Sequence, residues 1–156
     1  MTYLSFTRIP VPDLYSAEYP FQIGKAVVVR NGDDAAIVAN RDMVAQSLMA
    51  AEDLAGEGLD VRVIDCHTLK PLDERTIIEA AEQTGALVTA ENNVFYGGLG
   101  SAVAEVLGES CPAPMKRIGV RDQFAESGPY LALLEKYGLS ARHIAQAVRD
   151  VVARKG

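Results

Sequence analysis

From Gly24 onward, short β-type runs alternate with helix-length amphipathic stretches, and this alternation most narrows what the chain can fold into. Ala26–Arg30 and Ala35–Ala39 are strand-like and flank Asn31-Gly32-Asp33, whose Asn and Gly accept positive φ, so the spacing predicts a hairpin. A helix is expected from Asp42 to Gly56, because Val44, Leu48, Ala51 and Leu54 recur at three-to-four spacing. Gly56 and Gly58 can end it. Val61, Val63 and Ile64 mark a third strand, and Pro71 blocks its continuation. Asp73 is a natural N-cap for a helix through Gln83, closed by Gly85. Ala86–Ala90 reads as a fourth strand. Gly97-Gly98-Leu99-Gly100 then opens a helix carrying Val103, Val106 and Leu107, which Cys111-Pro112-Ala113-Pro114 breaks. Met115–Val120 is the last strand; helices at Tyr130–Tyr137 and Ser140–Ala153 finish the chain. Strands alternating with helices imply βαβ units and a sheet covered on both faces. The expected fold is a three-layer α/β/α domain, with a mostly parallel sheet of about five strands and one antiparallel edge strand.

The first 23 residues differ. Pro10, Pro12 and Pro20 fix φ and remove donors, so this stretch is not a helix. It also carries Tyr3, Phe6, Tyr15, Tyr19 and Phe21. An extended aromatic lead of this kind lies across another surface, either this domain's own or that of a further domain. The expected division is a linker over 1–23 and a folded domain over 24–156.

The formal charge of −6 argues against nucleic acid, whose binders carry a basic face. The nearest approach is Lys116, Arg117 and Arg121, which reads as a solvated edge in an acidic chain. No apolar run reaches the length of a membrane-spanning helix, about 18 residues, so no membrane partner is expected. The start MTYLSFTRIPVPD lacks a basic leader followed by an apolar stretch. Cys66 and Cys111 make no disulfide framework, and a reducing cytoplasm is the expected compartment.

The Gly97–Gly100 turn follows a strand and opens a helix, whose free N–H groups can hold an anion. YGGLGSAVAEV lacks the G-x-G-x-x-G spacing and the Gly-Lys-Ser/Thr of a phosphate loop. Two readings stand: tight turning with close helix packing, or a phosphate or effector site formed with Ser101. Glu91 ends the fourth strand, as a lone acid or as a cap for the turn that follows. Cys66 and His67 are adjacent, so their side chains point to opposite faces, poor geometry for joint metal ligation. His67, near Asp65 and Lys70 at a strand's carboxyl end, is either a ligand contact or a packing residue. Ser101 has no G-x-S-x-G context. Gly32-Asp33-Asp34 departs from a Gly-Asp-Gly metal motif. The candidate site for an anion, an effector or an interface is therefore Glu91, Gly97, Gly98, Gly100, Ser101 and His67, with no catalytic, cofactor or metal residue assigned.

Three segments add a resemblance. VRVIDCHTLKPLDERTI, GALVTAENNVFYGGLGSAVAEVL and KRIGVRDQFAESGPYLALLEKYGLS are similar to the C-terminal domain of transketolase. The lead YLSFTRIPVPDLY resembles the linker by which that family's central domain hands over to this one. The β subunits of 2-oxoacid dehydrogenases share the VID-TLKPLD segment but not the FAESG tail. Deoxyxylulose-phosphate synthases usually have histidine where Ser127 stands. Ser127 therefore favours transketolase, and the pattern looks most like the C-terminal part of a split transketolase. Departures are Asn40-Arg41 for a frequent Thr-Gly pair, Asn92-Asn93 for an acidic residue and a histidine, and Ala125 for glycine.

The resemblance implies transfer of a two-carbon ketol unit between sugar phosphates, as in the pentose phosphate pathway, with thiamine diphosphate and Mg²⁺. In that family both groups are held by other domains. The implied role here is an assembly domain, inactive alone, partnered by the remaining transketolase domains or subunit in a homodimer. Met1-Thr2 directly precedes what resembles a mid-chain linker, so a short subunit or a cut at a domain boundary is expected. The alternatives are the matching domain of a deoxyxylulose-phosphate synthase or a 2-oxoacid dehydrogenase, and a stand-alone anion- or nucleotide-binding module.

Overall fold

The computed structural model describes residues 2–94 and 96–155. Met1 of the expected linker, Phe95 of the segment GALVTAENNVFYGGLGSAVAEVL and the terminal Gly156 lie outside the described residues. The elements are β1 (Val27–Arg30), β2 (Ala35–Ala39), α1 (Met43–Ala55), β3 (Val61–Asp65), α2 (Glu74–Thr84), β4 (Leu87–Val94), α3 (Leu99–Ser110), β5 (Met115–Val120), α4 (Tyr130–Lys136) and α5 (Ala141–Val152).

All five residues of β2 are fully buried. A strand buried on both faces must be central, with helices above and below. Ala35, Ile37 and Ala39 face a core shared with Met43, Leu54, Ile144 and Val148 of α1 and α5. Ala36 and Val38 face the opposite core, with Ile77, Leu99 and Val103 of α2 and α3. The alternation of period two thus loads both sides of the sheet. Each large core side chain contributes about 1.5–3 kcal/mol by leaving water.

The strand order is β1-β3-β2-β4-β5. β3, β2, β4 and β5 run parallel, and β1 pairs antiparallel with β3, Val28 opposite Ile64. This is the expected mostly parallel five-stranded sheet with an antiparallel edge. The expected hairpin is corrected, because β3 lies between β1 and β2. β2 is wholly apolar and needs a partner on each edge, whereas half-exposed β1 with Arg30 suits a sheet margin. The Asn31–Asp34 connection instead crosses the start of β3. There Asp34 N donates to Asp60 O at 2.8 Å, and Asp60 N donates to Asp34 Oδ2 at 2.7 Å. β4 also runs past the expected Ala90 to Val94, because Val94 finds a partner in Val120.

Helix ends follow local chemistry in places. Asp73 caps α2, accepting from Thr76 N at 3.4 Å, and its Oδ2 also accepts from Ala26 N at 3.0 Å, tying β1's approach to α2. Gly85 closes α2 at φ +66°, a conformation glycine reaches without penalty. Ser140 precedes α5 without a side-chain cap bond, because its hydroxyl serves Glu135 and His143. Among the described residues, no helix is long and apolar enough to cross a membrane.

Residues 2–23 form no helix or strand. They fold back over the carboxyl ends of β2 and β3. Arg41 Nη1 donates to Ser5 Oγ at 3.0 Å, and Tyr15 stacks on Tyr19 with centroids 4.3 Å apart. Tyr3 and Phe6 point outward, 90% and 82% exposed.

The tight crossing at Gly32 is testable. A Cβ there would sit 2.4 Å from the Val61 carbonyl carbon, which is backbone and cannot yield. Gly32→Ala is expected to destabilise by about 1–3 kcal/mol, read as a lower urea midpoint. An unchanged midpoint would contradict the crossing.

Candidate functional site

In an open parallel sheet, ligands enter where neighbouring strands send their connections to opposite faces. Here that place lies between β2, which leads to α1, and β4, which leads to α3. The residues present are Asn40, Arg41 and Asp42 from β2, and Glu91 and Asn92 from β4.

Glu91 is 2% exposed. Its Oε2 accepts from Leu99 N at 3.0 Å, and its Oε1 accepts from Gly100 N at 2.9 Å. The carboxylate therefore sits on the positive end of α3, satisfying two N–H groups that have no partner within the helix. Gly98 permits this approach: a Cβ there would lie 2.0 Å from Oε2. A Cβ on Gly100 would meet Arg117 Cδ at 2.8 Å and Thr89 Oγ1 at 2.9 Å. Gly97, at φ +71°, turns the chain and donates its N–H to Ser101 Oγ at 3.0 Å.

Glu91, Gly97, Gly98, Gly100 and Ser101 thus come together in one turn, and His67 does not join them. The His67 ring packs on Phe21, centroids 4.6 Å apart, and its Nδ1 lies 2.8 Å from Thr68 Oγ1. A diphosphate does not fit the α3 terminus, because the amides it would need already hold an anion of like charge. Among the described residues, no group of three or more His, Cys, Asp or Glu could hold a metal ion.

The crevice itself is bridged by side chains of this chain. Asp42 Oδ2 accepts from Asn92 Nδ2 at 2.9 Å and from Tyr130 Oη at 2.5 Å. Arg41 Nη2 donates to Asn92 O at 2.8 Å. Burial, then the hydrogen bond and charge of Asp42, push the Tyr130 hydroxyl above its usual range. Arg41 holds φ +52°, a left-handed conformation that costs a side chain about 1–2 kcal/mol. Its position is the one where the resembled family often has glycine. Asp42, Asn92 and Tyr130 were not foreseen as a set. The tyrosine stands 88 residues from its partner, and no local pattern announces such a contact.

Beneath the lead, Tyr15 Oη donates to Asp65 Oδ2 at 2.8 Å, beside a cleft of about 370 Å³ that Phe6, Arg41 and Asp42 also line. Cys66, next along, is pushed up to about 12 by burial first and then by Asp65 and Asp73, so it stays a protonated thiol at neutral pH. Burial pushes the Asp65 carboxyl up, partly offset by the Tyr15 hydrogen bond and by His67.

The folded chain therefore keeps the Asp65 proton to higher pH than the unfolded chain does. Ionising Asp65 subtracts from stability as pH rises through the unfolded value near ~4, and the loss is complete above the raised folded value. Asp65→Asn retains an acceptor for Tyr15. It is expected to match or exceed the natural chain's stability at pH 7 and to lose that advantage in acid. An Asp65→Asn chain less stable at pH 7 but equal in acid would contradict this.

Residues 24–144 match the family model described as transketolase, C-terminal domain. The chain is 48% identical over 153 residues to the 6-deoxy-6-sulfo-D-fructose transketolase subunit of Clostridium sp. (strain MSTE9), covering 98% of this chain and 48% of that relative. It is 46% identical over 129 residues to the 1-deoxy-D-xylulose-5-phosphate synthase of Syntrophotalea carbinolica, covering 82% of this chain and 20% of that enzyme. A solved structure described as a split gene transketolase, inactive beta4 tetramer, superimposes with a TM-score of 0.90 at 47% identity, covering 94% of this chain and 48% of that one. The transketolase from Leishmania mexicana shares the fold, with a TM-score of 0.65 over 85% of this chain and 18% of its own. The chain spans about half the length of the Clostridium transketolase subunit and of the split gene transketolase, and about a fifth of the other two. On the family match and these identities, it belongs to the transketolase C-terminal domain family.

Proposed function

We propose that this chain is the C-terminal assembly domain of a split transketolase, which moves a two-carbon ketol unit between sugars. The observation that carries this reading is near-half identity over almost the whole chain to a transketolase subunit, together with a TM-score of 0.90 to a split transketolase. The bridged crevice between β2 and β4 favours a supporting role. Its side chains hold one another across strands and α4 and so brace the sheet edge.

In the complete enzyme, thiamine diphosphate with Mg²⁺ would carry the two-carbon unit and would be held by other segments. This chain's part is to position those segments. Residues 1–23 act as the linker and domain contact, because Tyr3, Leu4, Phe6 and Ile23 expose apolar surface that a neighbour would cover. Residues 24–156 then form the folded domain. The substrates are ketoses and aldoses with an anionic far end. Sugar phosphates of the pentose phosphate type are the first choice, and the relative named for a sulfonated fructose extends the class to sulfonates. The assembled enzyme is a homodimer of such pairs in the cytoplasm, a compartment consistent with two free cysteines. A second reading, the matching domain of a deoxyxylulose-phosphate synthase, draws on the 46% identity to one such enzyme.

The test mixes the purified chain with the polypeptide that carries the Gly-Asp-Gly motif and central domain, adding thiamine diphosphate and Mg²⁺. Ketol transfer from xylulose 5-phosphate to ribose 5-phosphate is expected from the mixture and from neither part alone. Turnover by this chain alone contradicts the proposal. Pyruvate-dependent condensation without ketol transfer favours the second reading.

A further inference from the structure

The cleft of about 370 Å³ between the lead and the carboxyl ends of β2 and β3 has the size of a small-molecule pocket, about 300–1,000 Å³. Its two sides differ in chemistry. The lead supplies an apolar wall of Phe6, Val11, Pro12 and Leu14. The sheet supplies Asp42 and Asp65, which line the cleft and are only 3% and 7% exposed.

Buried polar atoms normally have partners. Six buried side-chain polar atoms among the described residues have none, and four of them lie at these two strand ends: Asn40 Oδ1, Asp42 Oδ1, Asp65 Oδ1 and His67 Nε2. The register brings them side by side, since Ala39 at the end of β2 pairs with Asp65 at the end of β3. Asp42 Oδ2 already accepts from Asn92 and Tyr130, and Asp65 Oδ2 accepts from Tyr15. The second oxygen of each carboxylate is the one left over. An amide oxygen and an ionised carboxylate oxygen only accept, so this end of the cleft calls for donors. The lining is also acidic. Asp13, Asp42 and Asp65 stand against Arg41, whose Nη1 and Nη2 donate to Ser5 Oγ and Asn92 O.

We propose that this cleft binds a small organic ammonium ion, its charged head on Asp42 and Asp65 and its apolar body against Phe6, Val11 and Leu14. An ammonium head has three donors and no acceptor, the complement of what the two strand ends offer. A neutral alcohol brings one donor and no charge. A bare metal ion would leave the apolar wall unused, and no group of three or more His, Cys, Asp or Glu among the described residues could hold one. A cation beside Asp65 also offsets the burial that pushes its carboxyl up, because an opposite charge favours the ionised form.

The full chain is titrated with n-butylammonium chloride, with n-butanol and with potassium chloride at equal ionic strength, and the backbone amides of Asp42 and Asp65 are followed by NMR. Saturable shifts are expected with butylammonium and with neither of the others. Asp65→Asn keeps an acceptor for Tyr15 but sets an amide donor where the leftover oxygen stands. Its affinity for butylammonium is expected to fall about tenfold or more. Leu14→Ser, on the half-exposed wall, is expected to weaken binding about threefold or more. No saturable shift with butylammonium, or equal affinity for butanol, would overturn the proposal. So would undiminished affinity in either variant. A saturable shift with potassium chloride would show a bare-cation site and would overturn it as well.

Discussion

A buried carboxylate that closes the amino end of α3 governs what the carboxyl edge of this sheet can do. Glu91 accepts from two backbone amides at 2.9–3.0 Å, and bonds to a charged acceptor are worth about 1.5–3 kcal/mol each. The charge also lies on the positive end of a helix of 12 residues, which offsets much of the cost of burying it. Gly98 and Gly100 are where the chain lets the carboxylate and the β5 side chains approach. In many α/β domains the same amides hold a ligand's phosphate. Here they hold the protein's own side chain.

The crevice beside it follows the same pattern. Asp42, Asn92 and Tyr130 tie the loop after β2, the end of β4 and the start of α4 into one network, and Arg41 accepts a left-handed backbone within it. These bonds brace the sheet edge across three elements. That physical property accords with a domain whose work is to hold other segments in place. Meanwhile the apolar side chains of the lead lie at the margin, exposed to contact with other molecules.

Much of the fold was legible because its signals are local. The run AAIVA reads as a strand, and Asp73 and Gly85 mark the two ends of α2. The Asn31-Gly32 signal misled for a physical reason. A turn motif states only that the chain can reverse, while pairing is decided by which strand most needs two neighbours. That strand is β2, so β3 intervenes and β1 is left at the edge. The extra length of β4 depended likewise on a distant partner, Val120. At the candidate site, Glu91 through Ser101 could be read as one block because they are close in sequence. Tyr130 and Asp42 could not, because 88 residues separate them.

Native-state hydrogen exchange at the amides of Leu99 and Gly100 tests the central claim most directly. If Glu91 closes α3 from within, both amides exchange about as slowly as those in the middle of β2, with no ligand added. Exchange at the rate of an exposed loop would mean that the terminus stands open, and the self-filled sheet edge would have to be abandoned.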